Sequence, residues 1–211
     1  MTRRGFVAGA AAVVTAAGDA KIRVGMLGTR HSHFKGKLSV IQQSGEYELA
    51  GVCELDSPAA AQMLNDATIR LIVVECAPWE AVPWGKKVIA AGKHLHLEKP
   101  PGDQMEPFRE LVEEARRRKL LLQLGYIWRF HTLMNQALDI ARQGYLGDVF
   151  QVKGAIHTDI APNRRGDLAK YRGGMMFELG CHLIDRVVDL LGRPKEVRSW
   201  LRHDTRIADT L

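Results

Sequence analysis

HLHLEKPPG, residues 94–102, is the stretch that decides the architecture. His94, His96 and Glu98 alternate with Leu95 and Leu97, the period-two pattern of a strand. Proline has no N–H and cannot continue a ladder, so the strand stops at Pro100. Lys99 therefore stands at the carboxyl end of a strand, held extended by the proline after it. Working backwards, 79–91 reads as a helix stopped by Gly92. Before it, RLIVVEC (70–76) is a continuous apolar run of the kind buried on both faces of a parallel sheet. Further back come a short helix at 58–65, the strand YELAGVCE (47–54), a helix at 33–43 and the strand IRVGML (22–27). Forwards, Pro107 opens a helix running to about 118, and LLLQLG (120–125) is the next strand. This alternation predicts an α/β fold with a doubly wound parallel sheet.

After Gly125 the pattern changes. The spacing predicts a helix over 131–142 and a long strand over 148–158. A polar loop, DIAPNRRGDLAKYRGG, follows, then a strongly apolar helix over 175–191 closed by Gly192 and Pro194, and a last strand over 196–203. The boundary near residue 125 divides a nucleotide-type domain, 21–124, from a small, incomplete α+β piece, 125–211. Two strands and two helices leave sheet edges open. Such a piece packs on the first domain, pairs with a second copy of the chain, or is a truncated product.

The chain has 211 residues, 46% hydrophobic and 26% charged, enough for one sizeable core or two small ones. Its net charge of +6 includes the run Arg116 to Lys119. That run falls at a predicted helix C-terminus, where cations complement the dipole. No aromatics interleave with it, so a nucleic-acid partner is not expected. No window approaches the roughly 18 apolar residues that span a membrane. Cys53, Cys76 and Cys181 are odd in number and far apart, which reads as buried thiols rather than a disulfide framework. The first 20 residues differ from the rest. Arg3-Arg4 precedes an apolar run from Phe6 to Ala17 and then small residues, the layout of a twin-arginine signal. This predicts export to the periplasm. A leader that stays on would leave the protein cytoplasmic.

Two segments carry candidate chemistry. The turn GMLGTRHSHF (25–34) follows the first strand. A dinucleotide fingerprint needs glycines there so that backbone N–H groups approach a pyrophosphate at a helix N-terminus. Gly25 and Gly28 are present, while Arg30 and His33 stand where the second and third glycines belong. Arg30 is then the group left to contact phosphate, and Ser32 is placed to cap the helix and donate to a phosphate. Glu54 ends the second strand, where an acid accepts from a ribose diol and repels a 2′-phosphate, favouring NAD over NADP. Asp56 is an alternative.

In GGMMFELGCHLIDRVVDLLG (173–192), Glu178, His182, Asp185 and Asp189 recur at steps of four, three and four, sharing one helical face. The rest of the helix is apolar apart from Arg186, which lies off the stripe. An acid four residues from a histidine orients the imidazole for acid–base work on a hydroxyl. A core histidine satisfied by its neighbour is the plainer explanation. His94, His96 and Glu98 share a strand face, and His31 and His33 lie in another strand-end loop. Imidazoles hidden in a sheet covered on both faces account for them, and no metal is assigned.

Taken together, the Gly25/Gly28 turn, GVCELD (51–56), AGKHLHLEKP (91–100), the run from YIWRF to GYLGDV (126–149) and GGMMFELGCHLID (173–185) resemble the Gfo/Idh/MocA oxidoreductase family, the glucose–fructose oxidoreductase and inositol dehydrogenase type, in a shortened or truncated form. The resemblance implies a Rossmann-like first domain and a second domain that covers the active site. It implies hydride transfer between NAD or NADP and a sugar, polyol or related hydroxy compound. It nominates Lys99 and His182, with Glu178 where an aspartate is usual, as the catalytic group. It implies a cofactor-binding set of Gly25, Gly28, Thr29, Arg30, Ser32, Glu54, Glu98 and Pro100, and assigns Arg129 and Asp185 to the substrate. In this scheme Lys99 and His182 share the proton and Glu178 orients His182. Redox-neutral sugar chemistry with bound NAD is a related option. The rival is a non-catalytic remnant that binds a nucleotide or a partner chain.

Overall fold

The computed structural model describes residues 20–200 except 171, together with 206. All but the last residue of the expected leader, and residues 201–203 of the strand expected at 196–203, lie outside the described residues.

The first region alternates as its apolar pattern dictates. β1 (Ile22–Leu27), α1 (Phe34–Gln43), β2 (Tyr47–Cys53), α2 (Pro58–Asn65), β3 (Leu71–Val74), α3 (Pro78–Ala90), β4 (His94–Leu97), α4 (Met105–Arg117) and β5 (Leu122–Leu124) follow in order. The strands form one parallel sheet in the order β2-β1-β3-β4-β5. β3 is central, which is why its residues LIVV carry no polar alternation. Two strands are edges, β2 and β5.

Helices cover the two faces unequally. Toward α2, α3 and α4, Leu27, Ile72, Val74, Leu95 and Leu97 pack with Ala60, Val88, Ile89, Leu111 and Ala115. Toward α1 the cluster is smaller: Val24, Met26, Ile41 and Val73, backed by Phe34, Leu38 and Tyr47. Leu97 and Leu111 are wholly buried, each such side chain contributing about 1.5–3 kcal/mol. Gly25 lies within β1, not in the turn where the sequence reading placed it. A Cβ there would come 2.3 Å from Met63 Sδ, so this glycine lets α2 seat on the sheet. The turn begins at Gly28, whose φ of +81° and 2.5 Å Cβ approach to the Glu75 carbonyl both require glycine.

After β5 come a 3₁₀ turn (Ile127–Phe130), α5 (Thr132–Arg142), α6 (Pro162–Leu168), a π-helical turn (Met176–Gly180) and α7 (Cys181–Leu191). Three expectations are corrected here. Residues 149–161 form no strand; the segment runs mostly exposed, and Gly154 rests where a Cβ would lie 2.8 Å from Leu183. Residues 196–200 form none either. Alternation alone did not suffice, because among the described residues no neighbouring strand supplies a ladder. The polar stretch expected to be a loop contains α6, opened by Pro162 at its first turn. The long apolar helix is present but carries a wide turn in its middle. Among the described residues no helix is long and apolar enough to cross a membrane, and the three cysteines are free.

Candidate functional site

In open α/β sheets the carboxyl ends of the strands form the ligand crevice, at the point where strand order reverses. Here that point lies between β1 and β3, and the group at the end of β4 stands beside it. Lys99 is 3% exposed. Its Nζ donates to the Glu178 carbonyl at 3.0 Å and to Glu178 Oε1 at 3.1 Å. Strand end and second-region helix, 79 residues apart, are therefore joined. Glu178 sits on the π-helical turn, which departs from the 3.6-residue period and is often found at functional sites. It thus reaches Lys99.

His182 is the second residue of α7 and is 5% exposed. Its ring stacks on Trp128 at 5.3 Å and meets the edge of Tyr126 at 5.9 Å. Burial, and then the charge of Lys99, lower the pKa of His182, so the imidazole is neutral and able to accept a proton. Its Nδ1 is buried without a hydrogen-bond partner. Burial pushes the Cys76 thiol up to about 12 and Cys181 to about 11, so neither is a thiolate nucleophile at neutral pH.

Beneath Lys99 lies a buried charged cluster that the sequence did not announce. Glu75 (0% exposed) ends β3 and Glu98 (2%) ends β4. Lys37 of α1 bridges them, 2.5 Å from Glu75 Oε1 and in contact with Glu98 Oε2. His33 Nδ1 lies 3.2 Å from Glu98 Oε1, and His31 Nδ1 lies 3.7 Å from Glu75 Oε2. Glu98 also accepts the Lys99 backbone N–H at 2.9 Å. Gly125 leaves it room, since a Cβ there would lie 2.8 Å from Oε1. Against the cost of burial, His33 and Lys37 hold the Glu98 carboxyl far below the usual range. Burial raises Glu75 despite Lys37. Burial lowers His31 to about 4. Glu98, nominated for the cofactor, is thus placed at the hub of this cluster. The one sequence clue was an acid closing each of two apolar strands.

The remaining nominated residues fall in two places. Thr29 Oγ1 donates to Glu54 Oε1, so both stand together beyond β1 and β2. Arg30 is largely exposed, 3.7 Å from Glu80. Ser32 does not cap α1: the N-cap is His33, with no side-chain bond, so Ser32 falls one residue too early. The N–H groups of His33 and Phe34 are taken by the His31 ring and carbonyl. Pro100 lies in the Pro-Pro stop as expected. Arg129 and Asp185, both nominated for substrate, bind each other: Arg129 Nε is 3.0 Å from each carboxylate oxygen. The nearly buried Arg186 also donates to Asp185 at 2.7 Å and lies 3.3 Å from Asp189, so the acidic stripe is neutralised. Burial works against it, yet Arg129 and Arg186 hold the Asp185 carboxyl low. Sequence reading set Arg186 aside and missed Lys37, Glu75, Trp128 and Tyr126.

A cleft of about 270 Å³ opens beside Lys99, lined by Arg30, His31, Ser32, the 76–79 turn, α6 and Glu178. A larger apolar groove, about 460 Å³, lies on the α1 face and holds none of Lys99, Glu178 or His182. The residues present are of the kinds a dinucleotide uses: the Thr29–Glu54 pair suits a ribose diol, and the buried His182 Nδ1 has no partner of its own. Arg30 takes the place of the close-approach glycine.

A family model described as an oxidoreductase family with an NAD-binding Rossmann fold matches residues 22–126. A second, for the GFO/IDH/MocA C-terminal domain, matches residues 134–210. The chain is 32% identical over 149 residues to the uncharacterized oxidoreductase C115.03 of Schizosaccharomyces pombe, covering 69% of this chain and 40% of that one. It is 31% identical over 128 residues to the dTDP-3,4-didehydro-2,6-dideoxy-alpha-D-glucose 3-reductase of Streptomyces violaceoruber, covering 58% and 36%. The match thus spans about two fifths of the curated relatives' length. Among solved structures, apo scyllo-inositol dehydrogenase from Lactobacillus casei superposes with a TM-score of 0.65 at 19% identity, over 82% of this chain and 56% of that one, which speaks for the fold.

Proposed function

Since the chain belongs to the Gfo/Idh/MocA oxidoreductase family, we propose that it uses a nicotinamide dinucleotide to oxidise or reduce a CH–OH group of a sugar, polyol or related hydroxy compound. The observation that carries this reading is Lys99: a buried amine at a strand end, bonded to Glu178 on the helix that brings in His182. The relative from Streptomyces violaceoruber is named as a reductase of a dTDP-sugar, in keeping with that substrate class.

Bound NAD or NADP supplies the hydride acceptor or donor. The chain's residues would do the rest. Arg30 neutralises phosphate over the glycine-poor turn, and Glu54, held by Thr29, accepts from a ribose hydroxyl. An acid at that position repels a 2′-phosphate, so NAD is favoured. The neutral His182 takes the hydroxyl proton, with Lys99 placed by Glu178 to share it. Trp128 and Tyr126 fix the imidazole plane and keep water from one side. General acid–base assistance of this kind is worth about 100- to 10,000-fold. A signal over residues 1–20 would export the folded, cofactor-loaded protein, which a fusion of those residues to a reporter tests by fractionation.

The test titrates the purified chain with NADH and NADPH, following fluorescence, and then assays turnover on a panel of sugars and polyols. Lys99→Ala is expected to lose turnover and keep dinucleotide affinity; equal turnover in that variant rejects the role. One observation favours a second reading, a chain that binds a nucleotide without catalysis: Arg30 and His33 replace glycines, and His31 already occupies two α1 N–H groups. Binding without turnover on any substrate would select it.

A further inference from the structure

The cluster beneath Lys99 gathers two buried carboxyl groups around a single amine. Glu75 and Glu98 are both buried, and among the described residues Lys37 is the one amine bridging them. Glu75 Oε2, on a side chain with 0% exposure, has no hydrogen-bond partner. A wholly buried carboxylate oxygen left bare bears its desolvation penalty with no hydrogen bond to offset it. It is bare toward His31, 3.7 Å away. The donor atoms of His31, His33 and Glu98 lie within 4.8 Å of one another, and those of Glu75, His96 and Glu98 do likewise. His96 Nε2 is also buried without a partner.

We propose that this cluster binds one divalent first-row transition-metal ion, of the zinc class, through His31, His33 and Glu98, whose donor atoms stand together, with Glu75 Oε2, 3.7 Å from His31 Nδ1, turned in as the fourth donor. Two imidazoles and two carboxylates are a donor set such ions favour. Zinc bonds of about 2 Å require ligand atoms somewhat closer than they stand here, a contraction the turn at 28–33 supplies by small side-chain rotations. Lys37 holds the cation position when no metal is bound. It is attached to α1 with part of its side chain reaching solvent, so it swings out as the ion enters. The ion would face the cleft through His31, which lines it. This inference concerns binding alone and stands whether or not a dinucleotide is used.

The experiment takes the untagged full-length chain, strips it with a chelator and titrates it with Co²⁺ and then Zn²⁺. One equivalent of Co²⁺ should bind with the visible ligand-field bands of a four- or five-coordinate site, and Zn²⁺ should displace it. His33→Ala and Glu75→Gln should each weaken binding about 10-fold or more. His94→Ala, outside the cluster, should leave it unchanged, and Lys37→Met, which removes the competing ammonium, should tighten it. Circular dichroism confirms that each variant is folded, and the wild-type spectrum reports coordination without any variant. No saturable binding, octahedral bands from water ligands alone, or affinity untouched by His33→Ala and Glu75→Gln would overturn the site.

Discussion

Before Gly125 the chain is held by an apolar core on each face of a paired sheet; after it, the chain is held by charged clamps on helices. Arg129 grips Asp185, Arg142 lies 2.9 Å from Asp189, and Arg186 reaches both acids. The first kind of support fixes a group to a set depth, as with Lys99 and Glu98 at the end of β4. The second fixes orientation but stands partly in water, where ion pairs are worth little. The candidate site is assembled from one group of each kind, and Lys99 to Glu178 is the joint between them.

The largest test of this contrast is chemical. Lys99→Ala removes the joint and should lower turnover about 100- to 10,000-fold, with NADH affinity kept, as fluorescence titration and steady-state rates would show. Loss of both together would instead mean that Lys99 supports the crevice. Next comes the core of the first region. Leu97→Ala should cost about 2–5 kcal/mol by urea denaturation, because the side chain is wholly buried under α3 and α4.

Acid should act on the first region through His31. Its folded pKa is lowered to about 4 from 6.5, so the folded chain keeps it neutral while the unfolded chain takes up a proton below 6.5. Stability is full above pH 6.5 and falls between 6.5 and 4, by on the order of 3 kcal/mol at most. Within that range Glu75, raised by burial above its ordinary 4.5, takes up its proton first in the folded chain and opposes part of the loss; at lower pH, protonation of the Glu98 carboxyl, held low in the fold, continues it. Urea midpoints in chelator at pH 7.5, 6.5, 5.5 and 4.5 measure the slope, which His31→Asn should flatten. The smallest effect belongs to the clamps. Arg129 is more than half exposed, so Arg129→Ala should cost about 1 kcal/mol or less. A larger loss would show that the second region depends on its ion pairs more than exposure suggests.

The first region was legible because each of its apolar runs meets a neighbour: the apolar run 22–27 pairs with β2 and β3, the alternating 94–97 with β3 and β5, and RLIVVEC lands at the centre of the sheet. The strand ends could be read too, since Pro100 and Gly28 act through backbone geometry that belongs to the residue itself. Strand 148–158 failed because alternation records two environments without naming the partner that creates them. Glu178 was placed on the right helix, but its bond to Lys99 went unread, since periodicity relates residues of one helix and says nothing of a strand end 79 residues away. Lys37 and Glu75 escaped notice, and Arg186 was set aside, for a related reason. A single charge inside an apolar pattern gains its meaning from what lies across the interior, and spacing along the chain does not carry that.

The wide turn at 176–180 also predicts how this protein tolerates insertions and deletions. It holds about one residue more than an α-helix over the same rise. Dropping a single residue there would let the helix wind straight through and rotate Glu178 by about 100° relative to the imidazole four positions on. A frame-preserving loss of one codon, silent in most surface loops, would here uncouple the acid from the lysine while leaving every other side chain in the segment intact.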